Sequence, residues 1–209
     1  MLFFLLACVR HDTNATLRAS AEAAYPGLRA EVLEAALTGY RCARREGFGK
    51  QRTLTIIDFE QPSTEKRLWV IGLRRGELLF HDYVAHGKNT GEDLATDFSN
   101  TIDSKQSSLG MFATAETYIG KNGLSMRLDG LELGINDAAR ERYIVLHGAD
   151  YVSEAHIEAF GRLGRSWGCP AVPVEITEAL IDRIDEGTLL FVWYPDSAWL
   201  KDSRFLHCP

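Results

Sequence analysis

Two short stretches hold the residue types best suited to chemistry: Tyr143-Ile-Val-Leu-His147-Gly148 and, beyond a loop, Gly164-Arg165-Ser166-Trp167-Gly168-Cys169-Pro170-Ala171. A strand that ends in His-Gly delivers an imidazole to a sheet edge, where Gly148 permits a sharp turn and a close approach. Gly168 leaves the Cys169 thiol sterically open, and a nearby histidine can take its proton to give the thiolate that attacks carbonyls. Pro170 has no N–H, so donors to an oxyanion must come from Cys169, Gly168 or Trp167, or from elsewhere in the fold. On spacing alone, a buried inert thiol and a packed strand-end histidine fit these residues at least as well.

Further blocks give the pair a context. Val84-Ala-His-Gly-Lys-Asn-Thr-Gly91, Phe98-Ser-Asn100, Ser107-Ser-Leu-Gly-Met-Phe112 and Tyr118-Ile-Gly-Lys-Asn-Gly123 precede Gly164-Arg-Ser-Trp-Gly-Cys-Pro-Ala-Val172. Between about Thr53 and Tyr194 the set resembles the catalytic domain of murein L,D-transpeptidases (YkuD-like), in the subgroup that reads Gly-Arg-Ser-x-Gly-Cys-Pro-Ala-Val. The resemblance implies a mainly β domain with flanking helices, a β-sandwich or barrel. It implies that Cys169 attacks the carbonyl after the third residue of a peptidoglycan stem, with His147 as base, and that a thioester forms as a terminal D-amino acid leaves. An amine of a neighbouring stem then makes a crosslink, or water leaves a trimmed stem. No metal or organic cofactor is called for, and carbapenems are expected to acylate Cys169.

Gly168, Trp167 and Gly148 are the expected backbone support for the oxyanion. Arg165 and Ser166 lead the substrate-binding candidates, with His86 and Lys88 behind them and Arg127 as a further cation for an acidic stem. In much of the wider family a second histidine follows the Ser/Thr; here it is Trp167, expected to wall the groove. His81 and His86, an odd number of residues apart on an expected strand, point to opposite faces and argue against a shared metal.

The elements that must position these residues are legible as patterns. Leu28, Val32, Leu33, Ala36, Leu37 and Tyr40 recur at helical steps, predicting a helix over 26–46 with Pro26 in its first turn. Beyond Lys50, short β-branched and aromatic runs punctuated by Gly, Asn and Asp predict an antiparallel β-domain. The expected strands are 53–59, 67–73, 77–84, one around Tyr118, 124–128 and 143–147, with Arg74-Arg75-Gly76 as a hairpin turn. A second helix is expected over 174–185, with Ile176, Leu180, Ile181 and Ile184 inward and Gly187 as its stop, then a closing strand over 189–194. Residues 25–195 form the expected catalytic domain, 9–24 a linker, and 196–209 a C-terminal tail.

At 209 residues, with 45% hydrophobic and 25% charged, the composition is that of an ordinary folded domain. A net charge of -6 and the lack of a dense basic block argue against nucleic acid as a partner. The apolar run from Leu2 to Cys8 is too short to span a bilayer, which needs roughly 20 residues. It resembles the apolar part of a secretory signal, and Ala7-Cys8 resembles a lipidation site, so residues 1–8 are read as a truncated signal and lipobox. The expectation is export to the periplasm or cell envelope, with membrane attachment through a lipidated Cys8. None of the four cysteines forms a C-x-x-C pair, which excludes a zinc knuckle. Cys42 and Cys208 are either a disulfide or two unpaired thiols. Competing functions are an L,D-carboxypeptidase, a non-catalytic peptidoglycan-binding module, and a cytoplasmic cysteine hydrolase should residues 1–8 not direct export.

Overall fold

The computed structural model describes residues 23–185 and 187–208, so the apolar run from Leu2 to Cys8 and most of the linker lie outside the described residues. Helix α1 (Ala30–Arg45) buries Val32, Ala36, Gly39, Cys42 and Ala43 against the sheet. Gly39 brings the helix close to the sheet here: a Cβ would lie 2.7 Å from the Met111 methyl, and that side chain would have to shift. The helix starts later than Pro26. Gly27 adopts φ 73° in a turn closed by the Leu28 N–H on Tyr25 O, and the Trp69 indole donates to Pro26 O at 3.0 Å. Arg29, the residue before the helix, forms a forked pair with the buried Asp58 carboxylate and ties α1 to the end of the first strand.

Eight strands form one sheet: β1 (Thr53–Asp58), β2 (Leu68–Gly72), β3 (Glu77–Asp82), β4 (Gly110–Gly120), β5 (Gly123–Gly130), β6 (Val145–Gly148), β7 (Ala171–Val172) and β8 (Leu189–Trp193). Their order is β3-β2-β1-β8-β4-β5-β6-β7. The mainly β architecture matches the expectation, but the sheet is mixed: β1 pairs β8 and β6 pairs β7 in parallel. The strand expected to close the fold, β8, lies in the middle of the sheet. Its residues Leu-Leu-Phe-Val-Trp are buried on both faces, which an edge strand does not provide.

The two ends of the sheet approach each other. After β3, Ala85 and Ala171 exchange backbone hydrogen bonds of 2.8 and 3.3 Å, and Gly87 bridges Ser166. The edge beyond β3 thereby meets β7, and the sheet closes into a near-barrel, which removes the exposed edges.

Three further helices complete the described residues: α2 (Glu154–Phe160), α3 (Val174–Arg183) and α4 (Ser197–Asp202). Helix α3 ends before Asp185 and buries Leu180 and Ile181, while Ile176 is only half-buried. α2 was not anticipated; it is capped by Ser153 and ended by Gly161 at φ 72°. The segment read as a tail is part of the core. Trp199 on α4 and Phe205 after it are buried, and Cys208 is disulfide-bonded to Cys42 of α1 with Cα atoms 5.8 Å apart.

Candidate active site

The backbone of β6 runs beside the Cys169–Ala171 segment: His147 pairs with Ala171, and its N–H donates to Pro170 O at 3.4 Å. This parallel pairing carries His147 and Cys169 to the same cavity of about 500 Å³. The His147 Nδ1 lies 2.9 Å from Gly148 O. A carbonyl only accepts, so Nδ1 carries the proton and Nε2 keeps its lone pair. Burial lowers the imidazole's affinity for a second proton.

Cys169 is half-buried and unpaired, with Sγ 3.7 Å from Tyr143 O. Burial pushes its thiol above the ordinary range, while the Val145 N–H and the Arg142 and Lys121 charges oppose that push. The resting pair is therefore a neutral thiol and a neutral imidazole.

The Ser-Trp-Gly-Cys turn is held from within. Ser166 Oγ donates to Cys169 O at 2.6 Å and accepts the Gly168 N–H at 3.1 Å. Gly168 has φ 121°, and a Cβ there would lie 2.7 Å from Gln106 O. These facts bear on two expectations. The Ser166 hydroxyl lines the cavity but is engaged within the turn, where it shapes the backbone around Cys169. The Gly168 N–H is likewise spent, so the N–H groups of Trp167 and Cys169 remain as the turn's donors. Gly148 also differs from its expected role: its carbonyl orients His147, and its missing side chain admits α3, since a Cβ would meet Thr177 Oγ1 at 2.4 Å.

Trp167 is 67% exposed and walls the cavity as expected, its ring centroid 4.7 Å from Lys105 Nζ and 5.5 Å from Lys121 Nζ. Arg165 also lines it, but its Nη1 is shared between Lys88 O, Gly91 O and the Glu92 carboxylate. Lys88 and His86 do not line it. Lys88 contributes backbone, its N–H donating to Ser166 O at 2.8 Å. His86 is buried behind the site: Arg67 Nη2 donates to its Nδ1 at 2.8 Å, and its Nε2–H donates to Gly91 O at 3.3 Å. Burial and the Arg67 charge lower the His86 pKa to about 3, so it stays neutral. Arg127 is occupied elsewhere, by Glu116 and the Tyr118 ring. Among the described residues no group of three potential ligands could hold a metal ion.

Sequence reading missed Lys105, Lys121, Arg142, Tyr143 and Tyr151, all of which line the cavity. Lys121 stands in the Tyr118–Gly123 block and Arg142 beside the His147 strand, so adjacency was an available signal for both. Lys105 carried none; it lies in a loop where Asp103 and Lys105 take left-handed backbone conformations at φ 60° and 56°.

A family model described as the L,D-transpeptidase catalytic domain, YkuD_2, matches residues 24–193. No curated protein matches the chain. Among solved structures, an L,D-transpeptidase from Mycobacterium smegmatis is 13% identical with TM-score 0.42, covering 68% of this chain and 59% of that one. Bdellovibrio bacteriovorus Bd1075 is 19% identical with TM-score 0.43, covering 71% and 49%. A variant of the helical cell shape determining protein Pgp2 from Campylobacter jejuni is 12% identical with TM-score 0.47, covering 76% and 55%. The chain thus spans about half to three-fifths of the length of these solved chains.

Proposed function

Because the chain belongs to the L,D-transpeptidase catalytic-domain family, we propose that it crosslinks peptidoglycan, with Cys169 as nucleophile and His147 as its base. The observation that carries this reading is the His147 tautomer: Nδ1–H is held by Gly148 O, and an unprotonated Nε2 shares a cavity with the thiol. As Sγ bonds to the carbonyl carbon after the third stem residue, its proton passes to Nε2. The imidazolium returns that proton to the departing nitrogen, the C–N bond breaks, and a D-amino acid leaves a thioester. An amine of a second stem attacks, His147 takes its proton, and the imidazolium reprotonates Sγ as the thiolate departs. The turn's remaining N–H groups, on Trp167 and Cys169, support the oxyanion.

Lys105, Lys121, Arg142 and Arg165 face one acid, Asp103, across the cavity, a charge balance opposite to that of the whole chain and suited to an acidic stem peptide. The site of action is the cell envelope, a reading supported by the Cys42–Cys208 disulfide, which belongs to an oxidising compartment.

The test is incubation of the protein, beside Cys169→Ala, with disaccharide-tetrapeptide and disaccharide-pentapeptide, and mass spectrometry of the products. Crosslinked dimers that need Cys169 are the expected result, together with a covalent carbapenem adduct on Cys169 in the intact mass. Shortened monomers alone would make it a carboxypeptidase. No product from either stem, with binding retained in Cys169→Ala, would make it a wall-binding module.

A further inference from the structure

Arg142 lines the cavity, and the proton transfers above give it no part. Its guanidinium donates to four acceptors, all on the segment 99–108: Ser99 O at 2.6 Å, Ser108 Oγ at 2.5 Å, Ser104 Oγ at 3.2 Å and Gln106 O at 2.5 Å. Every one of these acceptors is neutral, and no carboxylate pairs with Arg142 among the described residues. A part-buried cation without a counter-ion is an expensive arrangement unless an anion forms beside it. The nucleophile's turn lies directly against it: a Cβ on Gly168 would come 3.4 Å from Arg142 Nη2. Both Arg142 and Cys169 line the same cavity.

We propose that Arg142 is a positioning residue that acts through Cys169, its fixed charge serving as the counter-ion of the Cys169 thiolate. It rests on the reading of Cys169 as nucleophile, yet its test needs no turnover. The same fork pins the segment that carries Lys105 against Trp167, and its four acceptors hold the charge beside the turn. Lys121, His147 and Tyr151 also face the thiol from the neighbouring elements; Lys121 is exposed and screened by solvent, whereas His147 and Tyr151 are neutral at rest.

The experiment is the pH dependence of Cys169 alkylation by iodoacetamide, read by intact mass, which reports the thiolate fraction whether or not the protein turns over a muropeptide. Arg142→Gln removes the charge and is expected to raise the midpoint by about one pH unit, slowing alkylation at neutral pH about tenfold. Arg142→Lys keeps a cation, and Ser108→Ala removes one anchor while leaving the charge; both are expected to titrate as the wild type does. An Arg142→Gln protein that melts as the wild type does and titrates unchanged would overturn the proposal. Should Arg142→Gln not fold, the other two variants decide. Midpoints raised in both would show that anchoring rather than charge sets the titration and would overturn the proposal, and unchanged midpoints in both would uphold it. Wild-type muropeptide turnover, measured separately, tells failure of this inference from failure of the transpeptidase reading.

Discussion

At the scale of single residues, the site is a neutral acid and a neutral base that share one cavity. Burial is the leading cause for both: it lowers His147 from its ordinary 6.5 and raises Cys169 from its ordinary 9.0. The productive form, thiol plus free imidazole, therefore spans the whole interval between those values. Acylation by a muropeptide or a carbapenem should be level through neutral pH and fall only on the acid side of 6.5, as Nε2 becomes protonated. Iodoacetamide, which needs the preformed thiolate, should react faster as pH rises through 9 and beyond. An alkylation rate already at its plateau near pH 6 would instead mean a thiolate–imidazolium ion pair and would contradict this picture. The other motif residues act on backbone: Ser166 closes the turn, Lys88 pins it, and Gly148 aims the base.

At the scale of elements, the surprise is how much of the core comes from the last residues of the chain. Trp199 of α4 stacks edge-on against Trp193 of β8 at 5.7 Å and donates its indole N–H to Glu132. Glu132 in turn accepts the Met111 N–H of β4 at 2.7 Å, near the start of the β4–β8 pairing. Burial raises the Glu132 pKa, and these donors hold it in place. Trp199→Ala should cost about 3–5 kcal/mol, through lost packing and an unpaired buried carboxylate. Urea denaturation read by tryptophan-independent circular dichroism checks it; a loss under about 1 kcal/mol would mean that α4 is an appendage. Periodicity located α1 and α3 because each has one strongly apolar stripe. It missed α2, which buries no residue, and α4, which is too short to show a period.

At the scale of the whole molecule, the near-barrel is closed by the short segment Val84–Gly87, and His86 is its bolt. Arg67 reaches across to donate to Val84 O and to His86, and His86 O accepts the Ser166 N–H in the turn that carries Cys169. The folded chain keeps His86 neutral down to about pH 3, against an ordinary 6.5. Between those values the unfolded chain binds a proton that the folded chain refuses, so stability is intact above 6.5 and is lost progressively as pH falls towards 3. His86→Gln, which can still accept from Arg67 and donate to Gly91, should lose less of its melting temperature than the wild type over that window. Equal acid sensitivity of the two proteins, by thermal melts across pH, would remove His86 as the sensor.

What the sequence determined by itself was local: the strand-forming runs, the helix stripes, and the ordered blocks around His147 and Cys169 that resemble those of the L,D-transpeptidase catalytic domain. These are legible because periodicity, turn residues and nucleophile flanks are written within a few neighbouring positions. Which strands are neighbours was decided only in three dimensions, by the need to bury β8 on both faces. So was the division of labour among the site candidates. Ser166 and His86 bear polar groups that look available on paper, and the fold spends them on hydrogen bonds to carbonyls, a backbone N–H and Arg67, while Lys88 lies off the cavity and contributes its backbone. Arg142 and Lys105 look like surface cations, and chain segments distant in sequence converge to put them beside the thiol. Charge and burial depend on everything packed nearby, and that sum exists only once the chain has closed on itself.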